Sequence, residues 1–163
     1  MEAEINKYLA EQEIVMTELL QLLREEQKAI SLLDTAKMDE LNHLKENAQE
    51  RQRKLSILGR EMISTLAGRL NLPNSSTLSD LIGRLDPKSR LPLEQQQGRI
   101  VELARLIKEV ANENKGMLER FLGTVNESLS FLLRMLNTSN QYGSSGNYVQ
   151  RTQSGAVIVN REA

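Results

Sequence analysis

Apolar residues recur at steps of three and four along most of residues 2–137, and this period restricts the chain to long amphipathic α-helices. The first stripe ends near residue 33 and has the spacing of a coiled-coil seam, which Gln12 and Glu26 interrupt. Two further stripes follow over residues 37–70 and 93–137, so we predict three long helices. The second stripe consists of Met38, Leu41, Leu44, Ala48, Leu55, Leu58, Met62 and Leu66, with a polar gap at Arg51 and Gln52.

The composition favours the same fold class. The 163 residues include 9 glycines and 3 prolines, and aromatic residues make up only 3%, so few residues oppose a helix. Within the second helix, Gly59 and Gly68 each cost about 1 kcal/mol relative to alanine. We therefore predict an all-α protein, an up-down bundle or coiled coil. Its long antiparallel hairpin is followed by one short connecting helix and a longer third helix.

Short polar segments separate the predicted helices. Asp34 or Thr35 is a candidate N-cap for the second helix, and so short a break favours an antiparallel hairpin. A loop over residues 71–76 precedes a capping box that begins at Thr77 and ends at Asp80. The capping box opens a short helix whose apolar residues are Leu78, Leu81, Ile82 and Leu85. We expect Asp86-Pro87 to end that helix and the third long helix to begin near Leu93.

The last part of the chain has a different character from the rest. Residues 138–163 are rich in Ser, Gly, Asn and Gln and lack helical periodicity. We therefore predict two regions, a helical bundle over residues 1–137 and a flexible C-terminal tail over residues 138–163. The apolar run Ala156-Val157-Ile158-Val159 could stay loose, add to the edge of a partner's sheet or dock as a peptide.

Charge and residue content argue against several functional classes. The net charge of −1 gives no electrostatic reason to expect binding to nucleic acid or to anionic lipid. No apolar run approaches the roughly 20 residues that span a bilayer, so we expect no stable insertion into a membrane. The chain has no cysteine and one histidine, and Glu40 and His43 form only one of the two Glu-x-x-His motifs that a helical di-iron site requires. We expect no catalytic residue, no metal and no cofactor. The basic residues Lys45, Arg51, Arg53, Lys54 and Arg60 alternate with glutamates, as on a solvated helix face.

The end of the third long helix carries more apolar side chains than one narrow seam needs. Between Met117 and Leu136 these side chains cover most of the helix circumference, so they must be covered on most sides. The other helices of the chain could cover them, as could a second copy of the chain. A third possibility is an open groove that binds a partner helix. The apolar residues concerned are Met117, Leu118, Phe121, Leu122, Val125, Leu129, Phe131, Leu132, Leu133, Met135 and Leu136.

Three short motifs, in this order along the chain, resemble the FlgN family of flagellar type III export chaperones. The segment from Asn112 to Leu118 is similar to the Asn-x-x-Asn-Gly-x-Leu motif in the family's last long helix, with Lys115 at a position where the family usually has Asn. Tyr142-Gly143-Ser144-Ser145-Gly146 matches the family's Tyr-Gly-x-x-Gly element. The terminal run Val157-Ile158-Val159 also resembles the β-prone end of the family.

This resemblance implies a cytoplasmic chaperone without enzymatic activity or cofactor. Its clients would be the hook-associated proteins of the hook–filament junction, bound through their C-terminal helices. Tyr142 and Gly143 would contact the cytoplasmic domain of the flagellar export gate. The alternative that does not depend on the family is a coiled-coil protein that associates with itself. The client-binding residues implied are Met117, Leu118, Phe121, Leu122, Val125, Leu129, Leu132, Leu133 and Leu136.

Overall fold

The computed structural model describes residues 1–73 and 75–139, with side chains as far as residue 135. These residues form helices and connecting turns without any strand, which confirms the all-α prediction. The four helices are α1 (Glu2–Leu32), α2 (Thr35–Arg69), α3 (Leu78–Ile82) and α4 (Pro87–Ser139).

The hairpin turn between α1 and α2 is only two residues long. Leu33 adopts a left-handed conformation with φ 54°, and the N–H of Asp34 donates to the carbonyl of Ala29 at 2.9 Å. The N–H of Leu33 donates to the carbonyl of Ile30, which completes a Schellman motif. Asp34 caps α2 as predicted, because its side chain accepts a hydrogen bond from the N–H of Lys37 at 3.0 Å.

The short helix α3 begins at the predicted capping box. The hydroxyl of Thr77 accepts from the N–H of Asp80, and the Asp80 carboxylate accepts from the N–H of Thr77 at 2.7 Å. The expected extension as far as Leu85 is wrong, since the helix ends at Ile82. Leu85 instead lies in the turn after the helix, where its N–H donates to the carbonyl of Ile82.

Helix α4 begins six residues before the predicted position at Leu93. Asp86 ends the preceding turn and also caps α4, because its carboxylate accepts from the N–H groups of Lys88 and Ser89 at 3.1 and 3.2 Å. Pro87 occupies the first helical position, where a missing N–H costs nothing. Pro92 therefore lies inside the helix, and the prediction that both prolines precede it is wrong.

Contacts between side chains give the directions of the long helices within residues 1–120. Along α1 and α2, Arg69 pairs with Glu4 at one end and Arg51 with Glu18 nearer the turn, so these helices are antiparallel. Helix α4 runs parallel to α1. Its contacts advance in the same order along both helices: Ser89 with Glu2, Arg99 with Glu13, and Glu113 with Gln27.

Two apolar clusters hold these residues together. Near the α3 end, residues of all four helices pack into one cluster: Ile5, Leu9, Leu66, Leu81, Ile82 and Leu93. Near the hairpin turn, Leu22 and Ala29 of α1 pack against Leu41 and Ala48 of α2. The predicted stripe of α2 is wrong at Leu44 and Leu58, which are exposed.

The chain divides into two compact units, Met1–Arg120 and Phe121–Ala163. In the second unit, the described residues 121–139 form the C-terminal part of α4. The helix ends at Ser139, two residues beyond the predicted end at Asn137. The tail predicted for residues 138–163 lies almost wholly outside the described residues, so the boundary between bundle and tail stays a prediction.

A candidate partner-binding surface on α4

The C-terminal part of α4 carries large apolar side chains that are exposed to solvent. Their exposed fractions range from 36% for Val125 to 60% for Leu133. By contrast, Leu93 near the start of the same helix is only 2% exposed. An apolar surface of this extent is typical of a binding site. The exposed residues are Leu122, Val125, Leu129, Phe131, Leu132, Leu133 and Met135; we call them the α4 apolar surface.

The α4 apolar surface has the spacing of a coiled-coil seam. Leu122, Val125, Leu129 and Leu132 follow one another at steps of three, four and three residues. A helix with this spacing brings the four side chains onto one stripe, which a second amphipathic helix can cover. Leu133 and Met135 lie beside the stripe and widen it.

The predicted site residues differ in how they are exposed. Met117 and Leu118, in the first unit, and Phe121, in the second, are each half-buried. Leu136 lies in α4, but its side chain is outside the described residues, as are Tyr142 and Gly143 altogether. The other predicted residues are exposed: Leu122, Val125, Leu129, Leu132 and Leu133.

Two exposed residues of the surface are absent from the predicted site. Phe131 is 57% exposed and Met135 is 54% exposed, close to the value for Leu129. Both belong to the predicted apolar run between Met117 and Leu136, but neither is among the predicted client-binding residues. Aromatic and methionine side chains are enriched at the centres of protein interfaces, which is the signal that could have included them.

Two polar side chains in this part of α4 bond to the backbone of the same helix. The Ser128 hydroxyl donates to the Thr124 carbonyl at 2.9 Å, and Arg134 Nε donates to the Ser130 carbonyl at 3.2 Å. Both bonds link residues four apart on the helix.

A buried polar cluster joins the first unit's three long helices. Glu26 of α1 forms an ion pair with Lys45 of α2. The Asn114 side chain of α4 donates to Glu26 Oε2 at 2.9 Å and to the Leu23 carbonyl at 2.8 Å. Asn114 is 3% exposed, so a buried polar side chain of α4 is hydrogen-bonded to α1 at this point of the interface.

Elsewhere the described residues include the histidine of the Glu-x-x-His motif and a hollow beside α3. The His43 side chain is 82% exposed, and the described residues contain no group of three His, Asp or Glu side chains placed to hold a metal ion. A hollow of about 460 Å³ lies beside α3, and its lining includes Asp80 and Arg84. Hydrogen bonds from Thr77 lower the pKa of Asp80, which is the expected effect of the capping box. None of the helices in the described part of the chain could span a lipid bilayer.

The chain was compared with family models, curated proteins and solved structures. A family model described as FlgN protein matches residues 1–150, which is most of the chain. No curated protein and no solved structure matches the chain. The match includes all of the described residues and extends across Tyr142 and Gly143.

Proposed function

The chain belongs to the FlgN family of flagellar export chaperones, and from this premise we propose that it binds the C-terminal helices of hook-associated proteins. One observation carries the proposal: α4 ends in an exposed apolar surface with coiled-coil spacing. A client helix laid along Leu122, Val125, Leu129 and Leu132 would bury these side chains. Such recognition, with an amphipathic helix in an apolar groove, is driven mainly by removal of apolar area from water.

The same contact explains how a chaperone of this kind would act. A hook-associated protein assembles through apolar helices, so a client in the cytoplasm must keep these helices covered until export. Binding to the α4 apolar surface would cover the client's helix and prevent premature assembly. Neither catalysis nor a cofactor enters this mechanism, because binding and release are sufficient.

Delivery to the export gate requires a second contact. We assign it to Tyr142 and Gly143, which match the Tyr-Gly-x-x-Gly element of the family and lie after the end of α4. A single aromatic side chain can dominate a small interface, which suits a transient contact with the cytoplasmic domain of the gate.

Co-purification with a hook-associated protein tests the client site. The double variant Phe121→Glu with Leu132→Glu introduces two carboxylates on the proposed surface, and we expect it to lose the client. Val101→Glu is a matched control, because Val101 is 65% exposed on α4 but lies in the first unit. Circular dichroism verifies the fold of both variants. If the folded double variant retains the client at the level of Val101→Glu, the client site is wrong.

Tyr142→Ala tests the gate contact separately. We expect this variant to retain the client while export of the client falls. Loss of client binding and export together would contradict a separate gate contact.

Sedimentation of the purified chain tests the alternative of self-association. The proposed chaperone binds its client through a surface that is free to accept it, so the chain should form a complex with the client at equal stoichiometry. A tight dimer that persists after the client is added would instead favour a structural coiled-coil protein.

A further inference from the structure

The α4 apolar surface lacks charge at every position that a partner helix would approach. In a heptad written abcdefg, Leu122 and Leu129 occupy position a, and Val125 and Leu132 occupy position d. Positions e and g flank this seam and usually hold the charged residues that select a partner. Here the flanking residues are Phe121, Asn126, Ser128, Leu133 and Met135.

The charged residues in this part of α4 lie on the opposite side of the helix. Between residues 121 and 135 the only charged residues are Glu127 and Arg134, and both occupy position f. Position f points away from the seam, so neither side chain is placed to pair with a charge on a helix bound there.

In the first unit of the same chain, by contrast, charged residues do take part in helix packing. Where its long helices pack together, charged residues pair across the interface: Glu13 with Arg99 at 2.7 Å, Glu18 with Arg51 at 2.5 Å, and Glu26 with Lys45. Helix pairing within the chain therefore uses charge complementarity, whereas the α4 apolar surface offers none.

We propose that the α4 apolar surface selects an amphipathic helix that is uncharged at all four of its a, d, e and g positions. This inference rests on the function proposed above and specifies the chemistry of the client. A partner with charged flanks would lose part of its hydration at Phe121, Leu133 and Met135 and would meet no counter-charge. Exclusion of charged flanks thus discriminates between helices that would fill the seam equally well.

Three synthetic helices test the proposal against the full chain. Each fluorescein-labelled peptide has about three heptads with leucine at a and d, and a balanced set of charges at b, c and f. The peptides differ only at e and g, which are all Gln, all Glu or all Lys. Because an unpaired charge is costly to desolvate, we expect the Gln peptide to bind at least about tenfold more tightly than either charged peptide in fluorescence anisotropy.

Two outcomes would overturn the proposal. In the first, a charged peptide binds within about twofold of the Gln peptide or more tightly, which would mean that flanking charge is tolerated. In the second, the Gln peptide shows no measurable binding.

Two variants test whether the preference for the Gln peptide arises at the e and g positions of α4. Leu133→Lys puts a cation at position e and should reduce the preference for the Gln peptide over the Glu peptide, because one glutamate gains a counter-charge. Ser130→Lys adds the same charge at position b, outside the flanks, and should preserve the preference for the Gln peptide. Equal changes in both variants would indicate a general effect of net charge and would contradict the proposal.

The outcome can be separated from that of the proposed function. If a hook-associated protein co-purifies with the chain while the peptides show no preference, only the proposed selectivity is wrong. If neither the hook-associated protein nor any peptide binds, the proposed function is itself contradicted.

Discussion

Contact with the Tyr8 side chain reverses the effect on stability that is expected of Gly59. The sequence suggested that Gly59 merely weakens α2. In the structure Gly59 is buried against the Tyr8 ring, and a Cβ atom there would lie 2.6 Å from Tyr8 Cε2. The Tyr8 hydroxyl also accepts a hydrogen bond from Gln12 Nε2 at 3.1 Å, and Gln52 donates to Gln12 Oε1 at 2.8 Å. Glycine therefore provides the space for an aromatic ring within a polar layer.

Gly59→Ala should accordingly destabilise the protein although alanine is the better helix former. We expect the free energy of unfolding to fall by about 1–3 kcal/mol, the usual cost of overpacking. Gly98→Ala is the matched control, since nothing lies near its Cβ position, and it should raise stability by about 1 kcal/mol. Urea denaturation measures both. Equal stabilisation by the two substitutions would contradict the contact with Tyr8.

Tyr8 should also make stability depend on alkaline pH. Burial raises the pKa of Tyr8 above its usual value of 10.0, because the charged phenolate loses hydration. The folded state thus holds the proton more tightly than the unfolded state. The stabilisation is complete below pH 10 and is lost as the pH rises through the folded pKa. Denaturation at several pH values should show a smaller decline for Tyr8→Phe, and an unchanged slope would contradict this cause.

At the scale of elements, the start of α4 shows which local signals compete. Asp86-Pro87 was interpreted as the end of the short helix, but the same pair also forms a strong helix start. Pro92 was expected to precede the helix, yet it lies in the second turn. There it deprives the Lys88 carbonyl of its usual donor. The cap at Asp86 and the burial of Leu93 compensate for this loss.

Replacing Pro92 by alanine tests this assignment. If α4 begins at Pro87, Pro92→Ala restores a hydrogen bond within the helix and should raise the free energy of unfolding by about 1–3 kcal/mol. If the helix begins at Leu93, the same substitution should be neutral or destabilising, because proline suits the residue before a helix. Thermal denaturation distinguishes the two results.

At the scale of the whole molecule, stability and binding belong to different parts of the chain. The apolar clusters that hold the helices together lie within Met1–Arg120, whereas the α4 apolar surface lies in the second unit. Exposed leucines lower the solubility of a protein, so their presence on α4 is consistent with a surface that binds a partner.

Two charge substitutions on α4 should show this division. Leu132→Glu places a carboxylate where the side chain is 53% exposed, so the free energy of unfolding should change by less than about 0.5 kcal/mol. Leu93→Glu buries a carboxylate in the cluster near α3 and should cost several kcal/mol, roughly 4 or more. Circular dichroism during urea denaturation compares them. A similar loss in both variants would mean that Leu132 is part of the folded core.

The candidate site was largely predictable because its signal is local. An excess of apolar residues at helical spacing can be counted along one segment, and five of the predicted residues between Leu122 and Leu133 are indeed exposed. The sequence left open whether other helices of the chain cover these additional apolar side chains. That depends on the other helices, and a one-dimensional pattern does not contain their positions.

The sequence by itself determined the all-α class, the hairpin, the capping box at Thr77 and the apolar run on α4, since each follows from residues within a few turns of one another. Only the tertiary structure decided that Leu44 and Leu58 face solvent, and which groups pair with the buried side chains of Gln12, Glu26 and Asn114. A period specifies a helix face but not the helix that will cover it. Burial is decided by neighbours that lie far away in sequence, and there a hydrogen bond or an ion pair can make a polar residue the better fit.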